Sequence, residues 1–136
     1  LPSERKSDFR SGGREEAPVN AREVRARSLA AIVQAYPAAA LAERVKKEYS
    51  RIVDAPLSGT ASEADIFSIE AAFGEDPPED AADDLIRAFE EAHLREAYQE
   101  KVSELRRAEA AGDQGAIAAA QKGVEEFSGR LRAFAR

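Results

Sequence analysis

The C-terminal third of this chain, from Asp80 to Phe134, carries the pattern that most constrains its fold. It reads as one long helical stretch, the turn Gly112-Asp113-Gln114-Gly115, and a second helical stretch running back. The second stretch has a single apolar stripe at helical spacing: Ile117, Ala120, Val124, Phe127, Leu131 and Phe134. The turn offers C-cap and N-cap residues in succession. So short a connection forces the two helices antiparallel. The unit predicted over residues 80–136 is a helical hairpin.

The first helix of that hairpin switches faces. At ~100° per residue, Leu85, Ile86, Phe89 and His93 cluster around one direction. Leu94, Tyr98, Val102 and Leu105 cluster on roughly the opposite side. A helix buried in one core keeps one stripe. The switch predicts that the first turns pack on an upstream body and the later turns on the last helix.

Upstream, residues 20–79 read as a small helical bundle. Asn20 is a suitable N-cap for a helix from Ala21 to about Tyr36, with Leu29, Ile32, Val33 and Tyr36 on one face. Pro37 restrains the preceding residue and suits a first helical turn, which predicts a second helix from Pro37 to Val53 with the stripe Leu41, Val45, Tyr49, Ile52. Thr60 with Glu63, or Ser62 with Asp65, has capping-box spacing for a third helix over 63–73. Ile66, Ile69 and Phe73 face inward there, and Gly74 supplies the C-cap. Residues 1–19 mix Ser, Gly, Pro and alternating charge, with Phe9 the one aromatic residue, and are expected to be a flexible linker from an upstream domain. A start at Leu1 reads as a piece of a longer protein.

Composition narrows the function classes. Hydrophobic residues make up 43% of 136, much of it alanine, with no Trp, Met or Cys. A single core would be thin, so helix-on-helix seams carry much of the stability. Without cysteine there is no disulfide or thiolate chemistry, which fits a cytoplasmic protein. No apolar run reaches the ~18–20 residues a bilayer span requires, and the opening LPSERKSDFR has no signal-peptide core.

The net charge of −6 disfavours nonspecific nucleic-acid binding. Residues 20–53 carry seven Lys/Arg and three Glu, a net of +4, while residues 54–84 carry ten acids and no base. Residues 85–136 hold nine charges of each sign. The acidic block reads as a solvated loop with acid-rich helix starts, or else as a shield or a landing patch for a basic partner. Arg22, Arg25 and Arg27 crowd a helix start, where the dipole disfavours cations. They are either solvated or meet an acidic partner.

No reaction chemistry is visible. His93 is the single histidine, and a zinc site needs further nitrogen or sulfur ligands. The pairs Asp83-Asp84, Glu90-Glu91 and Glu125-Glu126 point ~100° apart on a helix and do not converge as a catalytic dyad does. Neither a phosphate loop nor a nucleophile elbow is present. The expectation is therefore no catalytic residue, no metal and no cofactor.

Several segments of the hairpin resemble the C-terminal domain of bacterial DNA primases: Asp84-Leu85-Ile86-Arg87-Ala88-Phe89, His93-Leu94-Arg95-Glu96, Ser103-Glu104-Leu105, the turn Ala111-Gly112-Asp113, and Gln121 with Val124-Glu125-Glu126-Phe127-Ser128-Gly129-Arg130-Leu131. Upstream, Arg27-Ser28-Leu29-Ala30-Ala31-Ile32-Val33-Gln34-Ala35-Tyr36-Pro37 is similar to the opening of that domain. The resemblance implies an all-α fold, a small helical bundle followed by a projecting antiparallel hairpin. It implies binding to the hexameric replicative helicase, which brings primase to the fork for primer synthesis, with the hairpin making the main contact and the bundle able to modulate the helicase. The alternatives are the similarly folded N-terminal collar domain of the helicase itself, or an unrelated helical-hairpin adaptor or dimerisation module. Direct nucleic-acid binding and membrane association are not expected, and the chain is expected to be a monomer or weak dimer. The partner-binding residues expected are Arg95, Arg106, Glu125, Arg130, Leu131 and Phe134, on the hairpin's exposed side and free end. Leu131 and Phe134 have hairpin-core positions as their other reading.

Overall fold

The computed structural model describes residues 21–135. The expectations for a linker at 1–19, for Phe9 and for an Asn20 N-cap lie outside the described residues. The chain is all-α: α1 (Ala21–Ala35), α2 (Ala40–Val53), α3 (Glu63–Phe73), α4 (Asp83–Ala111) and α5 (Gln114–Ala135), with no strand among the described residues.

The core forms where the first four helices meet. Leu29 and Ile32 of α1, Leu41 and Val45 of α2, Ile69 of α3, and Ala82, Ile86 and Phe89 at the start of α4 make one buried cluster. Helix α1 packs against α2, α3 and α4. Leu29, Ala30, Ala31 and Ile32 are consequently all buried, and the two alanines let neighbours approach closely. Phe89 is fully buried, and its ring stacks on Tyr49 with centroids 5.1 Å apart.

Local chemistry sets the ends of the elements. Ser62 Oγ accepts from the Asp65 amide (3.1 Å) and Asp65 Oδ2 accepts from the Ser62 amide (3.2 Å). Of the two capping pairs the sequence offers, this is the one used. Helix α2 starts later than the expected Pro37, because Pro37 occupies the second position of a turn closed by the Ala39 amide donating to the Tyr36 carbonyl (3.0 Å). Helix α4 likewise starts at Asp83 rather than Asp80. The amides of Ala81 and Asp83 are spent in turns on the carbonyls of Pro78 and Asp80.

The α4–α5 joint is shorter than its four-residue sequence signal. Gly112, at φ +70°, donates to the Glu109 carbonyl while the Asp113 amide donates to the Ala108 carbonyl. This is a Schellman closure that needs the left-handed glycine. Asp113 Oδ1 then accepts from the Ala116 amide (3.1 Å), so Asp113 caps α5 directly, and Gln114 and Gly115 are already helical.

The backbone of α5 comes within 8 Å of α4 and of no other described helix. Its expected stripe is its least exposed face: Ala120 is buried, and Ile117, Val124, Phe127, Leu131 and Phe134 are half-buried. Near mid-seam a Cβ on Gly123 would sit 2.9 Å from Lys101 Cδ, so the glycine lets the lysine stem cross α5. Leu94 and Ala108 of α4 are buried outside the bundle cluster. Helix α4 thus serves two packing environments, as its switching face predicts.

Because Phe89 closes the core from α4, Phe89→Ala removes the largest buried side chain. It is expected to cost about 3–5 kcal/mol of unfolding free energy, read from urea denaturation followed by circular dichroism.

Candidate functional site

Three helices converge beside the core. Arg51 and Ile52 from the end of α2, Glu90, His93 and Leu94 from α4, and Arg130, Ala133 and Phe134 from the end of α5 line an open cleft of about 470 Å³. Each side chain arrives for a local reason. Ile52 continues the α2 stripe. Glu90, His93 and Leu94 stand where the apolar direction of α4 turns over. Phe134 ends the α5 stripe, and Arg130 flanks it.

The rim of the cleft is ionic. Arg51 Nε holds Glu48 at 2.8 Å while its Nη2 holds Glu90 at 3.1 Å, bridging α2 to α4. Donating to the Glu90 and Glu48 carboxylates raises the Arg51 pKa further. Two turns earlier Arg44 grips Asp83 with both ends, Nε to Oδ1 at 2.8 Å and Nη2 to Oδ2 at 3.0 Å. This ion pair joins the basic stretch to the acidic block. Both arginines are partly exposed, so solvent screens these pairs and their main role is to set the register between helices.

His93 has a defined role in this arrangement. Arg22 Nε of α1 donates to its Nδ1 at 3.1 Å, which assigns the ring proton to Nε2. Arg22 also reaches Glu96 at 3.4 Å. The arginine-rich start of α1 therefore meets α4 through Arg22 and not the acidic block. The His93 ring lies against Phe89 with centroids 6.3 Å apart. Burial, and then the Arg22 charge, push its pKa down, while Glu96 and Glu90 oppose the shift.

The closing turn of α5 is capped from across the seam. Arg87 Nη2 donates to the Phe134 carbonyl at 2.7 Å, and its guanidinium sits 4.4 Å over the Phe134 ring. A cation thus complements the helix C-terminus and stacks on an aromatic face at once. The arginines within the last turns of α5 reach back one turn instead. Arg130 pairs with Glu126 (2.8 Å) and lies over Phe127, and Arg132 bonds Ser128.

The six expected partner-binding residues divide into separate groups. Arg130, Leu131 and Phe134 lie at the bundle-proximal end of α5, with Arg130 and Phe134 in the cleft. Leu131 and Phe134 are half-buried, so each seals the seam and still offers an edge. Arg95 is exposed and pairs with Glu91 at 2.7 Å. Arg106 and Glu125 are exposed. Arg106 is nineteen residues beyond Arg87, the neighbour of Phe134, which along a helix is ~28 Å. The six therefore cannot form one compact patch. Sequence reasoning missed Arg51, Ile52, Glu90 and Leu94 as a group, because α2 and α5 converge only in three dimensions. It missed Arg87 because an exposed arginine on α4 carries no sign of the helix end it will cap. Among the described residues no group of three or more His, Cys, Asp or Glu is placed to hold a metal ion, and none of the described helices is long and apolar enough to cross a membrane.

The lowered His93 pKa has a pH consequence with a definite sign. Below its ordinary value near 6.5, the unfolded chain binds a proton that the folded chain resists. The stabilisation is present above that value and is lost as pH falls through the folded pKa. Urea midpoints are expected to fall between pH 7.5 and pH 5, and His93→Asn is expected to flatten that slope. An unchanged slope in the variant would assign it to the carboxylates. No protein-family model, curated protein or solved structure matches this chain.

Proposed function

We propose that this chain is the helicase-interaction domain of a bacterial DNA primase and recruits primase to the hexameric replicative helicase for primer synthesis. On this reading the domain is itself non-catalytic, acts in the cytoplasm, and belongs to a parent protein that is a DNA-directed RNA polymerase. The observation that carries the proposal is the arrangement of α5, whose backbone meets α4 alone among the described helices. Most of its circumference is free for a partner, while α4 anchors it to the core through Phe89. The resemblance of the 84–131 segments to the primase C-terminal domain supplies the identity of that partner. The nine-to-nine charge balance over 85–136 suits a protein surface better than a polyanion. Arg130 and Phe134 are the anchors of the docking surface, with Arg106 and Glu125 as outlying contacts.

The chain and the replicative helicase of the same organism are expected to co-migrate on a sizing column at micromolar concentrations. Phe134→Ala should weaken docking roughly tenfold, about 1.4 kcal/mol, with an unchanged helical circular-dichroism spectrum. Absence of co-migration would overturn the proposal. Dimerisation through α4–α5 without helicase affinity would replace it with an adaptor or dimerisation role, and ring-like self-association with the helicase collar.

A further inference from the structure

Among the described residues two large apolar side chains stand exposed, Val24 on α1 (42%) and Phe67 on α3 (71%). Their surroundings carry opposite charge. Phe67 has Glu63 one turn before it and Glu70 one turn after, with Ala64 and Ala71 completing the same face, all exposed. It lies in the 54–84 block, which has ten acids and no base. Val24 has Glu23 and Arg25 on either side of it and Arg27 one turn on, all exposed, so the face is net basic, and neither arginine makes an ion pair with a described residue. The backbone of α3 comes within 8 Å of α1 and of no other described helix, and the face that carries Phe67 is exposed.

We propose that these two faces are complementary halves of a contact between copies of this chain: Phe67 with Glu63 and Glu70 on one copy receives Val24 with Arg25 and Arg27 of the next. An arginine laid beside Phe67 meets the ring face and two carboxylates together. Val24 covers the apolar remainder. The contact is head-to-tail, because the two faces differ and each copy carries both. It is also small, one aromatic anchor and one aliphatic one, so it is weak, with a Kd on the order of hundreds of micromolar. Opposite charge collars make it salt-sensitive. Neither face includes α4 or α5, so the contact stands or falls independently of helicase docking.

Sedimentation equilibrium of the 136-residue chain from 20 µM to 1 mM tests this. The mean mass is expected to rise with concentration in 50 mM NaCl and to rise at least threefold less steeply in 300 mM. Phe67→Ser and Val24→Ser should each be monomeric while keeping the helical spectrum. Mixed one to one, they should pair, since one retains the α1 face and the other the α3 face, and the mixture should stop at two chains. Glu70→Arg should weaken association, and mixing it with Arg27→Glu should restore it. A monomer at 1 mM would overturn the proposal, as would wild-type association by Phe67→Ser. A variant mixture that stays monomeric would overturn the head-to-tail contact.

Discussion

The burial of Phe89 is the constraint on which the rest of this structure depends. Its ring is the largest fully enclosed side chain, stacked between Tyr49 of α2 and His93 of its own helix, in a cluster that α1 and α3 complete. A chain with few large apolar residues cannot spread its core, so one aromatic side chain must be touched by many elements. Because Phe89 sits in the second turn of α4, fixing it fixes the direction of the whole 29-residue helix. Everything that α4 carries farther along, including α5, inherits its position from that one site.

Electrostatics refine that placement without creating it. Arg44–Asp83, Arg51–Glu90 and Arg22 with His93 and Glu96 tie α2 and α1 to the first four turns of α4. None of these side chains is buried, so the energy of each pair is modest. Their spacing is what matters. They stand in the first, third and fourth turns of the helix, on either side of Phe89, so a rotation of α4 about its axis would break all three together.

The elements legible in the sequence are those whose determinants are local. The Ser62–Asp65 capping box, the Gly74 and Gly112 ends and the α5 stripe each follow from residues within one or two turns. The face switch of α4 was equally readable, because a helix that meets two partners must divide its apolar residues between two directions. What stayed hidden depends on choices among local options or on distant convergence. Pro37 suits a turn and a helix start alike, and only the bond from the Ala39 amide to the Tyr36 carbonyl places it in the turn. Arg87 capping α5 spans forty-seven residues, and no periodicity encodes it. Of the expected site, Arg130 and Phe134 fall together. Arg106 falls at the other end of the helix pair, since stripes identify a face but not where along it a site forms.

Helix α5 has one buried residue, Ala120, and its remaining stripe is half-buried. Its seam with α4 therefore removes less apolar area per residue than the contacts around Phe89, and in regional stability it ranks below the bundle. Three devices compensate at its ends and middle: the Asp113 cap, the Lys101 stem across Gly123, and Arg87 over Phe134. The first two act within the helix pair, whereas the third lies beside the cleft where α2 also arrives. Release of Arg87 from the Phe134 carbonyl would free the closing turns of α5 while leaving the bundle core intact, because no residue of the cluster around Phe89 lies on α5. A partner that gripped Phe134 would compete with that latch, coupling its own binding to the order of the α5 terminus.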